Sequence, residues 1–300
     1  MLWRGGRQSE NIEDRRGEGG FSTGMRGGMR FPIGGRAGGL GGLGLVALVL
    51  LGLFFGVDPS VLLDLGGGTP SSYVPSSPEP RTTQAPGAPD ETREFVSVVL
   101  ADTEDTWHAL FRQMGRTYQE PTLVLFSGLV DSGCGMAQSA SGPFYCPRDH
   151  KLYLDTNFID EMSRRFGAPG DFAQAYVIAH EVGHHVQNQL GILPRVEAMQ
   201  QQAGRTDANR LQVMVELQAD CFAGIWGHHA DRSRGILEAG DIEEGLNAAA
   251  AIGDDRLQKQ AQGYVVPDAF THGSSAQRVR WFKRGLEQGD PAACDTFNSQ

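Results

Sequence analysis

His180-Glu181-Val182-Gly183-His184 is the stretch on which the reading of this chain turns. Four residues make about one turn of α-helix, so the two imidazoles project from one face. Glu181, roughly 100° round the axis from His180, can reach a group held between them. That arrangement suits a divalent zinc carrying a water, with a carboxylate ready to take the water's proton. The neighbours agree on the helix: Phe172, Ala175, Ile178, Ala179, Val182 and Val186 form an apolar stripe running to Gly191, and Asp171 after Gly170 reads as the N-cap.

A catalytic zinc takes three protein ligands and keeps one position open. Downstream, a helix is expected over 208–226, with Leu211, Val215, Phe222 and Ile225 on its apolar side. It carries Glu216-Leu217-Gln218-Ala219-Asp220, two carboxylates one turn apart. Glu216 is the candidate third ligand. Asp220 then accepts the free N–H of a ligating histidine and fixes its tautomer. A solvated acidic face is the competing reading, but Ala219, Cys221 and Phe222 make the surroundings apolar.

Around these motifs the pattern predicts an α+β domain, mainly helical. Phe95, Val98, Val99, Trp107, Leu110 and Phe111 recur at helical intervals over 91–117. Strands are expected at Thr122–Phe126, Phe144–Cys146 and Lys151–Asp155, forming a small antiparallel sheet before the metal motif. A short helix over 156–166 and further helices around 234–262 and 275–288 complete the expectation. The strand ending at Asp155 is a candidate to bind an extended peptide by edge pairing.

Before residue 90 the composition changes. Twenty of the 41 glycines fall in the first 68 residues, and residues 1–36 carry seven arginines against four carboxylates with no apolar period, so they are expected to be flexible. The 21 residues 37–57 hold no charge and as a helix span roughly 31 Å, matching a hydrocarbon core of about 30 Å. They read as one transmembrane helix. Basic residues concentrated before it place the N-terminus in the cytoplasm and the remainder on the far side. Residues 58–90 read as a Gly/Pro/Ser-rich linker, and 91–300 as the folded domain. Residues 58–300 carry 19 basic and 32 acidic side chains, which argues against nucleic acid as a partner.

At this point the chain resembles known families. HEVGHH followed by ELQAD is similar to the Glu-zincin metallopeptidases. More closely, SENIEDRRG, GCG with GPFYCP, the strand KLYLD, both zinc motifs and THGSSAQR resemble the bacterial neutral zinc metallopeptidases. The resemblance implies a zincin-like fold, an anchor helix in the bacterial inner membrane, one zinc held by His180, His184 and Glu216, and Glu181 as catalytic acid/base. It does not imply a particular substrate. Hydrolysis of a peptide bond by a zinc-activated water is the expected chemistry, on a peptide or protein substrate. A catalytically silent scaffold binding membrane or envelope proteins, and a non-peptidase hydrolase, are the alternatives.

An oxyanion donor besides zinc is needed. His272, in a Gly-flanked turn, is the candidate, resembling a histidine in that role in related peptidases; Tyr264 is the alternative. His185 points about 140° off the ligand face and is expected to hydrogen-bond or face solvent. His228 and His229 are expected at a helix C-terminus, and His108 and His150 on the surface. Four cysteines suggest two disulfides, Cys134 with Cys146 across a short loop and Cys221 with Cys294.

Overall fold

The computed structural model describes residues 1–18, 90–138, 142–164 and 168–298. In chain order the elements are β1 (Ile12–Asp14), α1 (Glu91–Gln113), β2 (Thr122–Phe126), β3 (Leu129–Ser132), β4 (Gly135–Gln138), β5 (Phe144–Cys146), β6 (Lys151–Asp155), α2 (Thr156–Arg164), α3 (Asp171–Gln189), α4 (Ile192–Gln200), α5 (Arg205–Arg234), α6 (Asp241–Ala251), α7 (Asp254–Gln262) and α8 (Ser275–Gln288), with 3-10 turns at Pro267–Ala269 and Pro291–Cys294.

The sheet departs from the expected antiparallel one. Its order is β1-β2-β6-β5; β1, β2 and β6 run parallel and only β5 is antiparallel. Alternation along β2 explains its place: Leu123 and Leu125 face the helical core, while Val124 and Phe126 join Val130, Cys146 and Tyr153 under the β3–β4 hairpin. β6 is flanked on both sides, so the strand ending at Asp155 is not an edge; the outer strands of the sheet among the described residues are β1 and β5.

The first eighteen residues are part of this fold rather than a flexible segment. Trp3 packs edge-on against Phe95 of α1 with ring centroids 5.4 Å apart, and Ile12 pairs with Leu123. This overturns the single-pass reading. One crossing between residues 18 and 90 would leave β1 and β2 on opposite sides of a bilayer, yet they are hydrogen-bonded neighbours. No helix among the described residues is long and apolar enough to cross a membrane, and the 37–57 stretch lies outside them. The inner-membrane anchor, and the placement of the domain across the membrane from its N-terminus, are therefore withdrawn.

The helices that carry the site pack unusually closely, and glycines explain how. A Cβ at Gly183 on α3 would lie 3.0 Å from the Ala219 carbonyl of α5. A Cβ at Gly285 on α8 would lie 1.9 Å from the Cys221 carbonyl. Side chains at these positions would push the helices apart. α8 starts at a capping box, Ser274 with Gln277, and α5 ends at Gly235, whose φ of 63° suits glycine. Both expected disulfides are formed: Cys134–Cys146 ties the hairpin turn to β5, and Cys221–Cys294 ties the C-terminal 3-10 turn to α5. Asp171 opens α3 but does not cap it; its carboxylate accepts from the Met1 ammonium at 2.6 Å.

Candidate metal centre

α3 and α5 face each other across the Gly183–Ala219 contact, which brings their motifs together. His180 and His184 have ring centroids 4.8 Å apart. Glu216 Oε2 lies 3.3 Å from His180 Nε2 and 3.7 Å from His184 Nε2. Ligand atoms from all three lie within 4.8 Å of one another. All three residues, with Glu181 and His272, line a cavity of about 690 Å³.

Each ligand candidate is held from behind. Asp220 is fully buried and accepts from His180 Nδ1 at 2.9 Å. The same carboxylate is gripped by Arg278 of α8, Nε at 2.9 Å and Nη2 at 2.8 Å, and by the Tyr176 hydroxyl. His184 Nδ1 meets Gln187 Oε1 at 2.9 Å. Glu216 Oε1 accepts from Gln212 Nε2 at 3.0 Å.

Without an ion these groups polarise one another. Burial alone would lower the His180 pKa, but its hydrogen bonds to Asp220 and Glu216 outweigh burial and push it up to about 9. Burial would raise the Glu216 carboxyl, yet the neighbouring imidazoles hold it well below the usual range. The donor set fits zinc: two imidazole nitrogens and a carboxylate oxygen, with both Nδ1 atoms engaged elsewhere and one side open to the cavity. A second oxygen cluster, Asp171, Asp241 and Glu244, is not comparable. The Met1 ammonium donates to Asp171 and Asp241, and Glu244 accepts from the Phe172 N–H.

His272 lines the same cavity from the loop that leads into α8, where a Cβ at the neighbouring Gly273 would lie 3.2 Å from Val213 and Leu217 of α5. Backbone N–H groups of Thr271, His272 and Gly273 converge on Asp254 Oδ2 at 2.7, 2.6 and 3.0 Å. Asp254 Oδ1 lies 3.1 Å from His272 Nδ1, and this hydrogen bond raises the imidazole's pKa against the opposing effect of burial. Tyr264 is 61% exposed and does not line the cavity. His185 is buried and bonded to Tyr145 and the Gln119 carbonyl. His228 and His229 bond the carbonyls of Leu286 and Gly289 near the end of α5, His108 pairs with Glu120, and His150 is exposed.

Sequence reasoning assigned no role to Gln187, Gln212, Asp254 or Arg278. Gln187 follows His184 by three positions and Gln212 precedes Glu216 by four, so helical spacing alone could have found both. Arg278 and Asp254 become partners of the site only through tertiary packing.

Comparison with known proteins agrees with this geometry. A family described as "Putative neutral zinc metallopeptidase" matches residues 1–297. The chain is 53% identical over 297 residues to "Uncharacterized protein YpfJ" of Escherichia coli strain K12, covering 99% of each. It is 42% identical over 257 residues to "Uncharacterized protein Rv2575" of Mycobacterium tuberculosis strain H37Rv, covering 82% of this chain and 85% of that one. No solved structure matches. With a match over nearly its whole length and a His-His-Glu cluster whose donors suit the zinc that the family's description names, the chain belongs to the family described as "Putative neutral zinc metallopeptidase".

Proposed function

We propose that the protein is a zinc-dependent peptidase that hydrolyses peptide bonds within the cavity between α3, α5 and β5. The observation that carries the reading is the convergence of His180, His184 and Glu216 in one open cavity, with Glu181 beside them. Zinc held by these three residues supplies Lewis acidity, activating water and polarising the substrate carbonyl.

The chain's own groups do the rest. Glu181, 9% exposed and on the ligand helix, takes the proton from the attacking water and returns it to the leaving amine. His272, whose Nδ1–H faces Asp254, donates from Nε2 to the carbonyl oxygen as the imidazolium, the form that the Asp254 carboxylate favours. Asp220 and Gln187 hold the two ligand imidazoles in register. The free edge of β5 offers backbone groups to an extended substrate. Leu193, Val196, Val215 and Leu257 line the wall on the α4, α5 and α7 side, which favours an apolar side chain near the cleaved bond.

The test is cleavage of a mixed peptide library by the full chain loaded with zinc, compared with Glu181→Gln. Cleavage that Glu181→Gln loses while retaining zinc supports the peptidase. Equal behaviour of the two proteins favours the silent scaffold, and ester or simple amide hydrolysis without peptide cleavage favours the other hydrolase.

A further inference from the structure

The two ligand imidazoles are backed by chemically different groups. Behind His180 stands a carboxylate whose charge Arg278 balances. Behind His184 stands the neutral amide of Gln187, which is 0% exposed. The orientation of that amide is fixed by groups that have no choice. Gln187 Nε2 lies 2.8 Å from the Val215 carbonyl, which can only accept, so the nitrogen must face it. The same nitrogen gives its second hydrogen to Gln218 Oε1 at 3.0 Å. Gln218 in turn is oriented by another obligate acceptor, the Cys294 carbonyl, 2.9 Å from its Nε2. Both hydrogens of the Gln187 amide are thus engaged, and only its oxygen is left for His184 Nδ1.

An oxygen in that position requires a donor opposite. Nδ1 of His184 therefore carries the proton in the neutral ring, and Nε2, the nitrogen facing Glu216, keeps its lone pair. The line of amides ends at Cys294, which the disulfide to Cys221 anchors on α5.

We infer that Gln187 is a positioning residue for metal binding, and that Gln218 and the Cys294 carbonyl act through it to hold His184 in its Nδ1–H form. The inference rests on reading His180, His184 and Glu216 as zinc ligands. It makes the C-terminal 3-10 turn, which lines no part of the cavity, a determinant of how tightly the site holds its ion.

Zinc affinity of the full chain, measured by competition with a chromogenic chelator at neutral pH, tests this for wild type, Gln187→Met, Gln218→Met and the double variant. Gln187→Met is expected to weaken binding by about 10–100-fold, the usual consequence of removing a ligand's hydrogen-bond partner. Gln218→Met should weaken it less, and the double variant should match Gln187→Met alone, because Gln218 acts only through Gln187. An NMR spectrum of wild-type protein with isotope-labelled histidine and cadmium, which needs no variant, should show metal coupling to His184 Nε2 and a proton on Nδ1. Coupling through Nδ1, additive losses, or a Gln187→Met affinity within about twofold of wild type overturns the inference while leaving the ligand assignment standing. Failure of the wild-type chain to bind zinc overturns the ligand assignment, and the inference with it.

Discussion

The buried wall that gathers the ligands and the exposed rim of the same cavity are built on opposite terms. On the wall, α3, α5 and α8 bury His180, Glu216, Asp220 and Arg278 to 8% exposure or less. Each of these side chains is fixed by at least one hydrogen bond from another helix or from its own. On the rim, His272 has half of its side chain in solvent and is carried by a loop, and β5 is three residues long. An ion site needs ligands that do not move, which packing and ion pairs supply. A group that meets substrate must be reachable, which a loop on a firm base supplies. Damage to the wall should therefore appear first in stability and metal affinity, and damage to the rim in turnover alone.

The largest effect tests the wall. Asp220→Ala leaves Arg278 buried and without its carboxylate, and leaves His180 Nδ1 and the Tyr176 hydroxyl without an acceptor. Removing one partner of a buried pair destabilises by about 3–5 kcal/mol. Chemical denaturation of the metal-free protein should show this as a lower midpoint. A loss of under about 1 kcal/mol, the size of an exposed pair, would mean that the wall is not the rigid half.

His272→Ala probes the rim. The expected loss is about 10²–10³ in kcat, as for removal of an oxyanion donor, with KM and melting temperature nearly unchanged. If the melting temperature falls as far as in Asp220→Ala, the division between the two halves fails. Gly183→Ala returns to the wall with a smaller change. Its Cβ would meet the Ala219 carbonyl at 3.0 Å, so α3 and α5 must part slightly. The expected destabilisation is about 1–3 kcal/mol, and zinc affinity should fall with it because Glu216 lies across that contact.

The same division marks what could be read from the sequence. Local rules reached the wall's ligands because both motifs are helical, and helical spacing fixes which residues share a face: His180 with His184, and Glu216 with Asp220. They also reached the strands β2, β5 and β6, short apolar and aromatic runs bounded by turn residues. They did not reach the closing of the wall. Arg278 lies 58 positions from Asp220, and nothing local in either segment requires the other. The sheet's direction is not local either: β1, a parallel partner of β2, comes from residues 12–14, over a hundred positions earlier, and β6 reaches its parallel place beside β2 only after the β3–β4 hairpin and β5. Arginine and glycine hide the short strand there, so composition alone points to a flexible segment. In the fold the charges are paired: Lys151 and Arg15 meet Glu13, and Arg16 meets Asp14 and Asp90.

The smallest effect separates the wall's two duties, holding the fold and holding the ion, by their opposite response to pH. In the metal-free protein the His180 pKa stands at about 9, above the ordinary value of 6.5. A raised pKa means that the charged imidazole stabilises the fold. This contribution is fully present below pH 6.5 and is lost as pH rises through about 9. Zinc needs the same nitrogen unprotonated, so binding must expel the proton. Between these limits apparent zinc affinity should rise by up to about tenfold per pH unit, while the metal-free fold weakens by up to about 1.4 kcal/mol per unit. Calorimetry in buffers of different ionisation enthalpy should find at least one proton released per zinc near pH 7. Asp220→Asn removes one of the two carboxylates that raise His180 and should reduce that release, whereas His272→Ala, on the rim, should leave it unchanged.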